Sequence, residues 1–244
     1  MSNRIVLITG ATSGIGEATA RLLARNNFDL IITGRRKDRL EKLAKELPTK
    51  VETLSFDVRD RDAVAKALSG KKVDVLINNA GNAHGLGPIQ SGNVDDWDAM
   101  MDINVKGLLY VTREVLPQMV ERKSGHVINI GSIAGKEVYP GGNVYSASKF
   151  AVDAITRSMR IDLNASGVKV TGIHPGLVET EFALVRFKGD SAKAKDVYKG
   201  MEPLVADDIA DLILFALTRP DHVVIADLIV FPKAQAAATV VNRG

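Results

Sequence analysis

The sequence predicts an α/β fold in which one open, doubly wound parallel sheet of about seven strands carries helices on both faces. Two observations support this. Short, nearly continuous apolar runs such as Arg4–Thr9, Phe28–Thr33 and His126–Ile130 alternate with longer segments whose apolar residues recur at helical spacing. Strands buried on both sides read this way, because helices cover both faces of a parallel sheet. No repeat, low-complexity stretch or linker interrupts the alternation over 244 residues, so residues 1–244 are read as a single domain with right-handed crossovers.

The first strand, Arg4–Thr9, runs into Gly10-Ala11-Thr12-Ser13-Gly14-Ile15-Gly16, after which Ile15, Ala18, Leu22 and Leu23 mark a helix. A glycine-rich turn between a strand and a helix lets backbone approach a pyrophosphate, and the free N–H groups of the helix start stabilise its charge. The second strand, Phe28–Thr33, ends in Gly34-Arg35-Arg36. In dinucleotide sites an acid here binds a ribose 2′-hydroxyl, whereas arginine accommodates a 2′-phosphate. The acid is missing, so Arg35 and Arg36 predict NADP(H) rather than NAD(H). The third strand, Val51–Phe56, places Asp57 and Val58 where an adenine amine can be bound, and a short helix covers Arg59–Gly70.

Val73–Ile77 is the fourth strand, followed by Asn78-Asn79-Ala80-Gly81, compact residues that fit a backbone close to a cofactor ribose. Trp97–Asn104 and Val105–Glu121 form helix, and the apolar arc of Leu108, Leu109, Val111, Thr112, Val115, Leu116 and Met119 is wide enough to be covered on a second side by another subunit. His126–Ile130 is the fifth strand. Ser132 lies just past its carboxyl end, where open α/β sheets place their ligands.

Tyr145 and Lys149 follow, four residues apart on a helix running to about Ala165, and so share one face. A tyrosine, with a reference pKa of about 10, exchanges protons usefully near neutrality only if its anion is stabilised by about 4 kcal/mol. A cation about 4 Å away contributes roughly that much, so Lys149 together with a positively charged oxidised nicotinamide is expected to poise Tyr145 for proton transfer with an alcohol. Val168–Ile173 is the sixth strand and ends in His174-Pro175-Gly176. The stretch from Val178 to Gly200 lacks a clean period and suits a mobile segment covering a substrate, extending to about residue 204. A helix over Asp207–Thr218 and a last strand over Val223–Phe231 complete the fold.

Composition narrows the chemistry. Without cysteine, disulfides and thiolate catalysis are excluded, and four histidines with no paired spacing predict no metal site. A net charge of +3 and a pI near 9.0 come from Lys and Arg interleaved with Asp and Glu, which suits a small anionic ligand and not nucleic acid. No apolar run approaches the roughly eighteen residues of a membrane span. The Met1-Ser2-Asn3-Arg4 start lacks the apolar stretch of a signal peptide, so a cytoplasmic protein is expected.

Thr9-Gly10-x3-Gly14-x-Gly16, Asn78-Asn79-Ala80-Gly81, Asn104, Ser132, Tyr145-x3-Lys149 and Pro175-Gly176 stand in one order across the whole chain, and this order resembles the short-chain dehydrogenase/reductase family. The resemblance implies a seven-stranded Rossmann-type sheet of order 3-2-1-4-5-6-7 and hydride transfer between a nicotinamide and a carbinol or carbonyl. It implies that Tyr145 exchanges the proton, Ser132 hydrogen-bonds the substrate oxygen and Lys149 lowers the tyrosine pKa and holds the nicotinamide ribose. Asn104 would anchor a water in a proton relay, and Pro175, Gly176 and Val178 would line the cofactor.

The stretches Pro175–Phe182, Val185–Asp190 and Ile225–Asp227 resemble the NADP-dependent 3-hydroxy acid (serine 3-) dehydrogenases within that family. This implies substrates such as L-serine, L-allo-threonine, 3-hydroxyisobutyrate or a semialdehyde, and a homotetramer, with a dimer left open. A carboxylate near the reacting carbon needs a cation, for which Arg186 is the first candidate and Lys188 the second. A broader carbonyl reductase and a non-catalytic NADP-sensing protein are the alternatives.

Overall fold

The computed structural model describes residues 3–244. Its element order is β1 (Ile5–Ile8), α1 (Gly14–Arg25), β2 (Asp29–Gly34), α2 (Lys37–Glu46), β3 (Val51–Ser55), α3 (Arg61–Leu68), β4 (Val75–Asn78), α4 (Val94–Met101), α5 (Leu108–Glu121), β5 (Gly125–Ile130), α6 (Asn143–Asp162), β6 (Val168–Pro175), β7 (Val178–Glu179), α7 (Glu181–Arg186), α8 (Ser191–Asp196), β8 (Leu204–Val205), α9 (Ala206–Leu217) and β9 (Asp227–Val230). The seven-stranded sheet has the order β3-β2-β1-β4-β5-β6-β9, and every pairing in it is parallel. This is the expected order. The last strand is ninth in the chain because β7 and β8 form a separate parallel pair.

Alternation along each strand divides the core. Val6, Ile8, Leu30, Ile32, Val75, Ile77, Ile128 and Ile130 point to one face, where they pack with Leu23 of α1, Leu40 of α2 and Ile209 of α9. Leu7, Ile31, Leu76 and Val127 point to the other face, against Val64 of α3, Val111 and Val115 of α5 and Val152 of α6. A buried amide chain then sets α6 on the sheet: Asn78 Nδ2 donates to Asn129 Oδ1 and Thr112 Oγ1, and Asn129 Nδ2 donates to Thr156 Oγ1, each at 2.9 Å. Since an unpaired buried amide is costly, these bonds fix the rotation of α6 and with it the direction of Tyr145 and Lys149.

Apart from strand and helix ends that shift by up to three residues, three features differ from expectation. Asp102–Gly107 widens into a π-turn that joins α4 to α5 without a break, and such turns often mark functional positions. The last strand covers only Asp227–Val230. The aperiodic stretch after Val178 contains β7, α7 and α8; each helix there has six residues, too few to display a period.

Candidate active site

One cavity of about 750 Å³ opens along the carboxyl ends of the strands, within the usual size range of small-molecule sites. Every candidate binding or catalytic residue from the sequence lines it except Gly16, Asn104 and the second-choice cation Lys188. Lys188 instead pairs with Asp96 at 2.9 Å.

The floor begins at the glycine turn. Gly10 has φ +69°, and a Cβ there would lie 2.9 Å from the Ala80 Cα; a Cβ on Gly16 would lie 2.4 Å from the Gly10 carbonyl oxygen. Asn79 closes the turn from the next strand, its Nδ2 donating to the carbonyls of Thr9 at 2.9 Å and Gly10 at 3.2 Å. Gly16 therefore acts by close packing below the cavity, and the backbone above it stays bare for a pyrophosphate.

At the β2 end, Arg36 is held by the glycine turn after β1. Its Nε and NH2 donate to Thr12 Oγ1 at 3.1 and 2.8 Å, and NH2 also reaches Ser13 Oγ at 2.8 Å. Its NH1 meets Glu181 at 2.9 Å, and Arg39 meets the same carboxylate at 2.7 Å. Arg35 is more exposed and lies 3.8 Å from Asp57. Asp57, suggested for an adenine amine, is occupied by Arg59 at 2.7 Å. Burial raises the Asp57 pKa, but the bonds from Arg59 outweigh burial and hold it below its ordinary value.

At the other end stand Ser132, Tyr145 and Lys149. Ser132 caps a short turn by accepting from the Ala134 N–H at 3.1 Å, and its hydroxyl faces the Tyr145 phenol. Burial pushes the Tyr145 pKa up and the nearby phenol of Tyr139 adds to this, while Ser132 and Arg186 pull it down. Lys149, buried, is lowered by that burial to about 8; its Nζ donates to the Ile130 carbonyl at 3.0 Å and lies 6.0 Å from the Tyr145 ring centre. The protein alone thus leaves the phenol protonated, and the ammonium points along the cavity floor toward Gly81, where an added Cβ would lie 3.6 Å from Nζ.

Asn104 sits in the π-turn behind this group. Its Nδ2 donates to the Asn82 carbonyl at 2.8 Å and to Ser148 Oγ at 3.0 Å, its Oδ1 accepts from the Asn82 N–H at 2.9 Å, and Ser148 in turn donates to the Tyr145 carbonyl at 2.7 Å. The loop after β4 is thereby tied to the helix turn that carries Tyr145.

The cover is built by α7. Phe182 packs on Tyr145 with ring centres 5.6 Å apart. The Arg186 guanidinium lies 5.6 Å from the Tyr145 ring centre, donating to Tyr139 Oη at 2.9 Å and to the Gly85 carbonyl at 3.1 Å. Among the described residues no carboxylate pairs with Arg186. Sequence reasoning missed Tyr139 and Phe182 as walls, and Arg39 and Glu181 at the arginine end; the only signal for Arg39 was its place one helical turn after the β2 end.

The family model for short chain dehydrogenases matches residues 4–190. The chain is 47% identical over 240 residues to the NADP-dependent 3-hydroxy acid dehydrogenase YdfG of Salmonella typhi, with 96% of this chain and 97% of that protein covered. It is 46% identical over 248 residues to sulfoacetaldehyde reductase 2 of Chromohalobacter salexigens, with 98% of each covered. A closed form of serine dehydrogenase complexed with NADP+ superposes with a TM-score of 0.94 at 44% identity, covering 98% of this chain and 100% of that one. A match of this extent, on a sheet of the expected order and a cavity that gathers the glycine turn with Ser132, Tyr145 and Lys149, shows that the chain belongs to the short-chain dehydrogenase family.

Proposed function

We propose that the protein is an NADP(H)-dependent oxidoreductase acting at the 3-hydroxyl or carbonyl carbon of short 3-hydroxy acids, the class that includes L-serine, L-allo-threonine, 3-hydroxyisobutyrate and the corresponding semialdehydes. The observation that carries this reading is Arg186: a guanidinium without a carboxylate partner among the described residues, lining the cavity beside the Tyr145 ring. A cation there suits a carboxylate close to the reacting carbon. It suits a sulfonate as well.

The residues fit the cofactor. The cavity runs from Arg36 to Lys149 across a turn whose backbone is kept bare by glycine. When bound, NADP(H) would supply or accept the hydride. Arg36 would hold its 2′-phosphate, the Gly10–Gly16 turn its pyrophosphate, and Lys149 its nicotinamide ribose. Tyr145, protonated in its buried setting, donates its proton to the substrate oxygen in reduction and recovers it in oxidation, while Ser132 donates to the same oxygen. Asn104 holds the loop after β4 against α6 and borders the route by which Lys149 exchanges protons with solvent. Residues 1–244 act as one domain with a cover at about 178–204. Exposed Leu109 and Val120 on α5 and Phe150 and Ile161 on α6 supply the apolar faces for a homotetramer.

The test is a steady-state assay with NADP⁺ and NAD⁺ in parallel against 3-hydroxy acids and uncharged secondary alcohols. NADP⁺ preference with activity on the acids is expected. Arg186→Ala should raise KM for the acids roughly 10- to 100-fold, the value of a charged hydrogen bond of about 1.5–3 kcal/mol, and raise KM for uncharged alcohols far less, while any fall in kcat from losing its pull on the Tyr145 proton is shared by both classes. Activity confined to uncharged alcohols would make the protein a broader carbonyl reductase, and cofactor binding without turnover would make it a sensor.

A further inference from the structure

β2 ends in two arginines without the acid that dinucleotide folds use to bind an unphosphorylated ribose. The fold brings a carboxylate to that place from far along the chain: Glu181, 145 residues after Arg36, accepts from Arg36 NH1 at 2.9 Å and from Arg39 NH1 at 2.7 Å. The rest of the Arg36 fork is fixed on Thr12 and Ser13, so the guanidinium stays in place whether or not Glu181 remains.

Glu181 opens α7, behind Thr180, whose Oγ1 accepts from the Phe182 N–H at 3.2 Å. The same six-residue helix carries Phe182 and Arg186 against Tyr145. One short element therefore spans the arginine pair and the substrate end of the cavity.

We propose that Glu181 is a specificity-determining latch: its carboxylate occupies the 2′-phosphate position, must be displaced for NADP(H) to bind, and by leaving releases the start of α7. A carboxylate and a phosphate are both acceptors for the same guanidinium forks. Two arginines and Glu181 carry a net charge of +1, and a phosphate monoester brings about −2 near neutrality. Like charges cannot share the fork without cost, and the half-exposed carboxylate is free to turn to solvent. A ribose 2′-hydroxyl is a donor and leaves the latch shut by bonding to Glu181, so the residue narrows the preference for a phosphorylated cofactor and links occupancy of that end to the position of Phe182 and Arg186. This rests on Arg36 as the phosphate clamp.

The experiment uses the whole protein with adenosine 2′,5′-bisphosphate and 5′-AMP, which carry no nicotinamide and support no turnover. Calorimetry on the wild type and Glu181→Gln is expected to show the bisphosphate bound roughly three- to ten-fold more tightly by the variant, as loss of competition from partly exposed ion pairs implies, with 5′-AMP not tightened. Hydrogen exchange of the amides of residues 182–187 should accelerate when the wild type binds the bisphosphate and should already be fast in unliganded Glu181→Gln. This is opposite to the slowing that simple ligand ordering produces. Equal or weaker bisphosphate binding by the variant, or slower or unchanged exchange in the wild type, overturns the latch. A wild type that binds both probes equally overturns the phosphate clamp itself, and the latch with it, before any variant is compared.

Discussion

The floor of the cavity and its cover are built by different means. On the floor, strands, the glycine turn and Asn79 pack so closely that a single added carbon at Gly16 meets a backbone oxygen at 2.4 Å and the Asn79 amide at 2.5 Å. The cover over 178–200 hangs on charged side chains: Glu181 on Arg36 and Arg39, Arg186 on Gly85 and Tyr139, and Arg243 on the Lys199 and Val197 carbonyls. Leu184 and Val185 on it are exposed, and Gly189 has none of the described residues within 4 Å of its missing Cβ. Packing fixes geometry regardless of salt and pH, whereas partly exposed ion pairs are weak and exchangeable. In the proposed function, the chemistry that needs fixed atoms falls on the floor and the selection of what enters falls on the cover.

The largest test of that division is Tyr145→Phe. The ring keeps its place against Phe182, Ala83, Met100 and Ala134, so the fold and cofactor affinity should survive. Loss of the proton donor should cut turnover by roughly 10²- to 10⁴-fold. Unchanged turnover in a steady-state assay would remove Tyr145 from the mechanism.

Lys149 tests what a rigid floor costs in stability. Burial lowers it from an ordinary 10.5 to about 8, so between those values the unfolded chain holds a proton that the folded chain has released, and wild-type stability rises with pH across that window. Lys149→Met has no such term. Its stability relative to the wild type should therefore be most favourable below about pH 8 and decline by about 3 kcal/mol toward pH 10.5, as 1.36 kcal/mol per unit implies. Denaturant titrations at the two ends of the window measure this, and parallel curves would show that the ammonium is not desolvated.

Most of the floor was legible in the sequence and little of the cover was. Strands buried on both faces must be apolar throughout, and a backbone approached by phosphate must carry glycine, so β1, β4, β5 and the Gly10–Gly16 turn announce themselves locally. The Glu181 contacts join residues 145 and 142 apart, and no local pattern encodes them. Nor does spacing distinguish a lysine aimed at a tyrosine from one aimed at the Ile130 carbonyl. The π-turn at Asp102–Gly107 escaped notice because one widened turn barely disturbs the apolar arc of α5.

Gly16→Ala sharpens the comparison on the floor. The new carbon meets backbone, which cannot swing away, so a loss of about 1–3 kcal/mol is expected from overpacking. Weaker cofactor binding should follow as the turn shifts. Chemical denaturation and calorimetry read the two effects, and an unperturbed protein would show that the turn is looser than its contacts imply.

Gly87→Ala is the matching substitution beside the cover and should have the smallest effect, with the opposite sign. Gly87 lies in the loop that carries Gly85 to Arg186, its N–H donates to the Gly141 carbonyl at 3.2 Å, its backbone is outside the left-handed region, and an added Cβ has none of the described residues within 4 Å. The gain comes from the unfolded chain, which loses freedom when glycine is replaced, and amounts to about 0.4–1 kcal/mol. If the same one-carbon addition stabilises at Gly87 and destabilises at Gly16, the contrast between a packed floor and a lightly held cover is measured directly. A loss at Gly87 as large as that at Gly16 would mean that the loop docking the cover is packed as tightly as the turn, and that selection and chemistry do not divide between the two regions.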